Sequence, residues 1–152
     1  MQPYQTILVA VDFSDHSDLA LQRAQQLAAL YQADLKVVHI AEVPSFPVLE
    51  DIAVTGLPAI WDDEVKGKVE QVGMARLKKM AQQVGIDEAS CHLVVGVPRY
   101  EIVEYAEQLG ADLIVLGRRG LSGIQALIGS TADSVLHHAK CDVLAVNLEK
   151  KT

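Results

Sequence analysis

The chain has only two cysteines, Cys91 and Cys141, with no CxxC pair between them. That excludes a disulfide framework and the paired spacing of a structural zinc site. They read as two reduced cysteines within or beside strands. No HExxH helix occurs, so no metal site is expected. Of the five histidines, His137 and His138 are adjacent and diverge around a helix, where their expected role is to favour its C-terminus. Positive charge is scarce, with 13 Lys and Arg against 20 Asp and Glu and a net charge of −7. The basic face that nucleic acid or an anionic membrane requires is therefore missing. No apolar run reaches membrane-spanning length, and Met1–Gln5 leads almost directly into a strand with no signal-peptide pattern. A cytoplasmic protein is expected. Internal repeats and linkers are also lacking, so residues 1–152 read as a single domain.

What is present is aliphatic. Half the residues are hydrophobic but only 5% are aromatic, a composition suited to layered α/β packing. Thr6–Val11 (TILVAV) reads as a strand by its β-branched run. Ser14 is placed to cap the helix that follows, with Asp15 and Asp18 in its first turn and Ala20, Ala24, Leu27, Ala28 and Tyr31 on its buried stripe. Leu35–Ala41 is the next strand, and His39 near its end reads as a half-buried, satisfied histidine with a role in a crevice left open. Residues 42–60 carry Pro44, Pro47, Pro58 and Gly56 yet are apolar, which fits a lid, a flap against a second subunit or a partly ordered excursion.

A long helix is expected over Trp61–Val84, with Val65, Val69, Val72, Met80 and Val84 inward, Gly67 and Gly73 weakening it and Gly85 ending it. A strand near Ser90–Val95 leads to a helix opened by Pro98 and closed by Gly110, with Ile102, Tyr105, Ala106 and Leu109 buried. The last strand is Asp142–Leu148. Five strands alternating with four helices predict an open, doubly wound parallel sheet, a Rossmann-like α/β/α sandwich.

The densest chemistry lies in Ala111–Lys140. An apolar strand, Leu113–Leu116, runs into Gly117, Arg118, Arg119 and Gly120; Gly129 then precedes Ser130 and Thr131, and Ser130–Asp133 reads as a capping box. Its helix would bury Ala132, Val135, Leu136 and Ala139. Glycines allow a ligand to approach the backbone. The first amides of a helix lack internal partners and carry the positive end of its dipole, so strand, glycine-rich loop and helix N-terminus together bind phosphate. A simple turn with an N-cap is the alternative for any one of these features.

This segment resembles the carboxy-terminal signature of the universal stress protein family, a loop of the form G-x-x-G, about nine residues, then G-[S/T], which holds the phosphates of ATP. Gly117, Gly120, Gly129 and Ser130 fall on its positions, with a spacer of eight residues from Leu121 to Ile128. The resemblance spans nearly the whole chain and implies strand order 3-2-1-4-5. It implies that Asp12 contacts the adenosine, that Ala10 and Ile40 line the adenine slot with Leu116 as its far wall, and that ATP or AMP is the ligand, with magnesium carried only by the phosphates. It also implies a homodimer paired through the strand at 142–148, where an apolar edge would otherwise stay open. Two functions are consistent with it: a nucleotide-sensing stress-response homodimer, or a nucleotide-independent dimeric adaptor with a vestigial loop. Catalysis would be at most slow hydrolysis or autophosphorylation on Ser130 or Thr131, since no general base or P-loop lysine is evident. A dinucleotide-dependent enzyme fits least, because the turn Val11–Ser14 has no glycine.

Overall fold

The computed structural model describes residues 3–42, 63–119 and 128–148. Its strands are β1 (Thr6–Ala10), β2 (Asp34–Glu42), β3 (Cys91–Gly96), β4 (Leu113–Gly117) and β5 (Asp142–Val146). Its helices are α1 (Asp15–Tyr31), α2 (Asp63–Gln83), α3 (Pro98–Leu109) and α4 (Ser130–His138), with one 3-10 turn at Glu88–Ser90. All four strand pairings are parallel and the order is β3-β2-β1-β4-β5, as expected.

The paired runs Ile7–Ala10 of β1 and Leu113–Leu116 of β4 are apolar and buried throughout because both faces of the sheet are covered. Side chains alternate across a strand, so Ile7 and Val9 of β1 join Leu113 and Val115 of β4 under α1 and α2. Leu8 and Ala10 join Ile114 and Leu116 under α3 and α4. The chain winds β1, β2, β3 in one direction and β4, β5 in the other, so the winding reverses between β1 and β4. At their amino ends these two strands are tied by one carboxylate: Asp112 accepts from the amides of Gln5 (2.8 Å) and Thr6 (3.2 Å). At their carboxyl ends the pairing stops at Ala10 and Leu116, and the chains diverge to opposite sides.

At α1, α2 and α3 the local signals at helix ends act as anticipated. Ser14 caps α1, its hydroxyl accepting from the Ser17 amide at 3.3 Å. Pro98 opens α3, and Gly85 (φ 76°) and Gly110 (φ 65°) end α2 and α3 in the left-handed conformation. Both cysteines are free, and burial pushes both thiols up from their ordinary values. No helix among the described residues is long and apolar enough to cross a membrane.

Several expected faces turn out differently. In α1 the inward position is Leu21, whereas Tyr31 is exposed and meets Tyr4 edge-on at 5.3 Å. In α4 Ala132 and Val135 are buried but Leu136 is exposed. The larger change is in α2. Val72 is 69% exposed and Val65 is also exposed, while Met80 is buried as expected and is joined by Leu77 and Ala81, with Val84 packed against the same core. Its sheet-facing stripe begins at Gly73, where an added Cβ would lie 2.6 Å from Leu93 of β3. That glycine costs about 1 kcal/mol in helix propensity but allows α2 to lie close on β3. β1 and β5 also stop short of the expected Val11 and Leu148. Of the apolar stretch at 42–60, Glu42 closes β2 and the rest lies outside the described residues.

Leu77→Ala should cost about 2–5 kcal/mol in urea unfolding. Val72→Ala should change stability by about 0.5 kcal/mol or less. Equal costs at the two positions would place α2 on the wrong face.

Candidate functional site

A cavity of about 680 Å³ opens where β1 and β4 diverge, within the range of small-molecule sites. Its walls come from the carboxyl ends of β1, β2 and β4 and from the start of α4. Ala10, Asp12, Ile40, Leu116, Gly117, Arg118, Arg119, Gly129, Ser130 and Thr131 all line it. Thus residues singled out by sequence and separated by more than 100 positions meet in one space. Gly120 lies outside the described residues.

On the β1 side, Asp12 Oδ1 accepts from the Ser14 amide at 3.0 Å and from the Ser14 hydroxyl. This orders the turn into α1 and concentrates both bonds on one carboxylate oxygen. Between them, Phe13 is held at φ 64°, a left-handed conformation that costs a bulky residue about 1–2 kcal/mol. Two contacts hold its ring there: the Arg76 guanidinium lies 4.3 Å from the centroid, and the His39 ring centroid is also 4.3 Å away. His39 Nδ1 donates to the Val11 carbonyl at 2.8 Å, so the histidine is both satisfied and part of the cavity wall. Beside this turn the Asp18 carboxyl is raised from its ordinary value, mainly by desolvation and then by Asp15, with Arg76 pulling it back.

On the β4 side, the loop is closed at its base by two backbone bonds. The Arg118 amide donates to Val146 of β5 at 2.8 Å, and the Gly129 amide donates to the Arg118 carbonyl at 2.9 Å. This moves the start of α4 from where its sequence suggests. Gly129, not Ser130, is the N-cap, and no side chain caps the helix. The S-x-x-D pattern is therefore not a capping box. With Gly129 tied to Arg118, the helix begins at Ser130, and the hydroxyl expected to cap is instead on the cavity wall. The first α4 amides, which a helix leaves without internal acceptors, point the same way. Gly117 has a separate reason to be glycine. A Cβ there would come within 2.7 Å of the His16 Cβ and 3.0 Å of its backbone carbon, so α1 packs directly against the end of β4.

Phe13, Ser17, Glu42, Arg76, Pro98 and Ile102 also line the cavity. No local signal identifies them: Arg76 reads as an ordinary surface charge of α2, and a phenylalanine in a left-handed turn has no sequence signature. At the far end of α4, His137 Nδ1 and His138 Nδ1 lie 2.8 Å from the carbonyls of Asp133 and Ser134, in keeping with a C-terminal role. The His92 ring meets that of Tyr105 at 5.6 Å between centroids, tilted by 51°.

A five-stranded parallel sheet wound in two directions, covered on both faces by helices and with a cavity at its reversal point, defines a Rossmann-like α/β domain. The profile of the Universal stress protein family matches residues 3–147, and the chain belongs to that family. It is 36% identical over 151 residues to universal stress protein A homolog 2 of Coxiella burnetii, covering 98% of this chain and 99% of that one. The solved structure of universal stress protein UspA from Lactobacillus plantarum superposes with a TM-score of 0.67 at 28% identity, covering 94% and 97% of the two chains. A universal stress protein solved in complex with cAMP gives a TM-score of 0.61 at 30% identity, covering 98% and 99%.

Gly117→Ala should destabilise the protein by about 1–3 kcal/mol, because backbone as well as side chain must move. Gly96→Ala should stay within about 0.5 kcal/mol of wild type, since only the flexible Glu101 side chain stands within 3 Å of the added carbon. Urea unfolding of both variants measures this, and a neutral Gly117→Ala would refute the close packing of α1 on β4.

Proposed function

We propose that the chain binds an adenine nucleotide in this cavity and acts as a nucleotide-sensing homodimer in a stress response. The observation that carries the reading is the meeting of an apolar slot and an anion-binding end in a single cavity. Ala10, Ile40 and Leu116 offer flat apolar walls for the base, and the Asp12 carboxylate can accept from ribose hydroxyls. Arg118, Arg119, Ser130, Thr131 and the first α4 amides would hold the phosphates, with magnesium arriving on them. The relative at 30% identity in complex with cAMP supports adenine-nucleotide chemistry. Binding rather than turnover is proposed: of the cavity's titratable groups, Asp12 is engaged with Ser14 and His39 with Val11, and no lysine of the P-loop kind lines it. The net charge of −7 argues against nucleic-acid partners.

A dimer is proposed on different ground. β5 is an edge strand of the sheet, with Val143 and Leu144 only partly buried. Antiparallel pairing with a second copy would close that edge. The eight-residue spacer favours the competing reading, a dimeric adaptor that ignores nucleotide.

A thermal melt separates the two. Mg-ATP or AMP at one hundred times Kd stabilises by about 2.7 kcal/mol, a rise of about 5–10 °C for a domain of this size. No rise with any adenine nucleotide leaves the adaptor. Sedimentation equilibrium at micromolar concentration should give twice the 16.5 kDa chain mass, and a monomer there would end the dimer proposal.

A further inference from the structure

The Asp12 carboxylate is divided between two tasks. Its Oδ1 takes both bonds from Ser14, one from the amide and one from the hydroxyl. Its Oδ2 accepts from no protein group among the described residues and is not sealed away from solvent. One oxygen therefore holds the turn, and the other is left for the cavity that Asp12 lines. A carboxylate oxygen with free lone pairs takes hydroxyl donors. The division depends on the residue between Asp12 and Ser14, because the bond from the Ser14 amide spans it. That residue is Phe13, at φ 64°, a region a bulky side chain leaves unless contacts from elsewhere hold it. Were φ to relax to the ordinary negative range, the Ser14 amide would leave Oδ1 and the carboxylate would be free to turn.

The holding contacts come from two other elements. On β2 the His39 ring is itself fixed by its bond to the Val11 carbonyl. On α2 the Arg76 guanidinium lies over the Phe13 ring and, among the described residues, forms no salt bridge. Gly73 sets its reach: an added Cβ there would lie 3.9 Å from His39 as well as against Leu93, and Arg76 follows three residues later on the same helix face. Resting on the nucleotide reading above, we propose that Arg76 is a positioning residue. Through the Phe13 ring it holds the Asp12–Ser14 turn so that Asp12 Oδ2 meets the sugar hydroxyls, and the site thereby prefers ribonucleotides to nucleotides lacking those hydroxyls.

Calorimetric titration of AMP and 2′,3′-dideoxy-AMP tests this. Wild type should bind AMP about tenfold more tightly than the dideoxy form, the scale of a hydrogen bond to a charged group. Arg76→Gln should lose most of that preference, weakening AMP by about fivefold or more and the dideoxy form by about twofold or less. Arg76→Lys, which keeps a cation over the ring, should restore part of the preference. Glycine adopts φ 64° without steric cost, so adding Arg76→Gln to Phe13→Gly should change AMP affinity by about twofold or less. A larger loss in that background means that Arg76 touches the ligand itself, and overturns the proposal. So does an Arg76→Gln protein that melts lower yet keeps the preference, or one that weakens both ligands equally. A wild type that binds both equally overturns the proposal and leaves nucleotide binding intact; one that binds neither overturns both.

Discussion

The pairing of β1 with β4 is the constraint on which the rest depends. Ile7 lies beside Leu113 and Ala10 beside Leu116, bringing together segments more than 100 residues apart. Only a sheet covered on both faces makes those runs apolar at every position, and only a reversal of winding leaves their carboxyl ends free to separate. The cavity is a result of this reversal. Asp12 lies just beyond the end of β1 and Gly117 is the last residue of β4, so both reach one space. α1 then fixes the distance between them, seated against Gly117 by His16 and capped by Ser14.

Much of this was legible because the signals were local. β-branched runs marked the strands, and Ser14, Pro98, Gly85 and Gly110 marked helix boundaries through their own backbone preferences. The glycines and hydroxyls after β4 were singled out on equally local signals, and Gly117, Gly129, Ser130 and Thr131 all line one cavity. Reading failed where the deciding contact was tertiary. α2 has one apolar stripe through Val65, Val69 and Val72 and a neighbouring one through Leu77 and Ala81; Met80 and Val84, expected inward, do pack on the core with the second, and helical periodicity alone cannot say which stripe meets the sheet. The choice was made by the close approach at Gly73 to Leu93, a contact with a distant strand.

The start of α4 failed in a related way. Ser130 and Asp133 have the spacing of a capping box, but the backbone bond from Gly129 to Arg118 sets where the helix begins. The side chain freed from capping then lines the cavity. Phe13 was illegible for a different reason, because its left-handed backbone is sustained by Arg76 and His39 from two other elements. Such departures from local preference concentrate around the cavity, as expected where a fold is shaped for something other than its own stability.

The Asp112 carboxylate, bridging the amides of Gln5 and Thr6, has a consequence at the opposite end of the molecule. It fastens the two middle strands at the end remote from the crevice, so removing that carboxylate would slacken the sheet without touching a single group that lines the cavity.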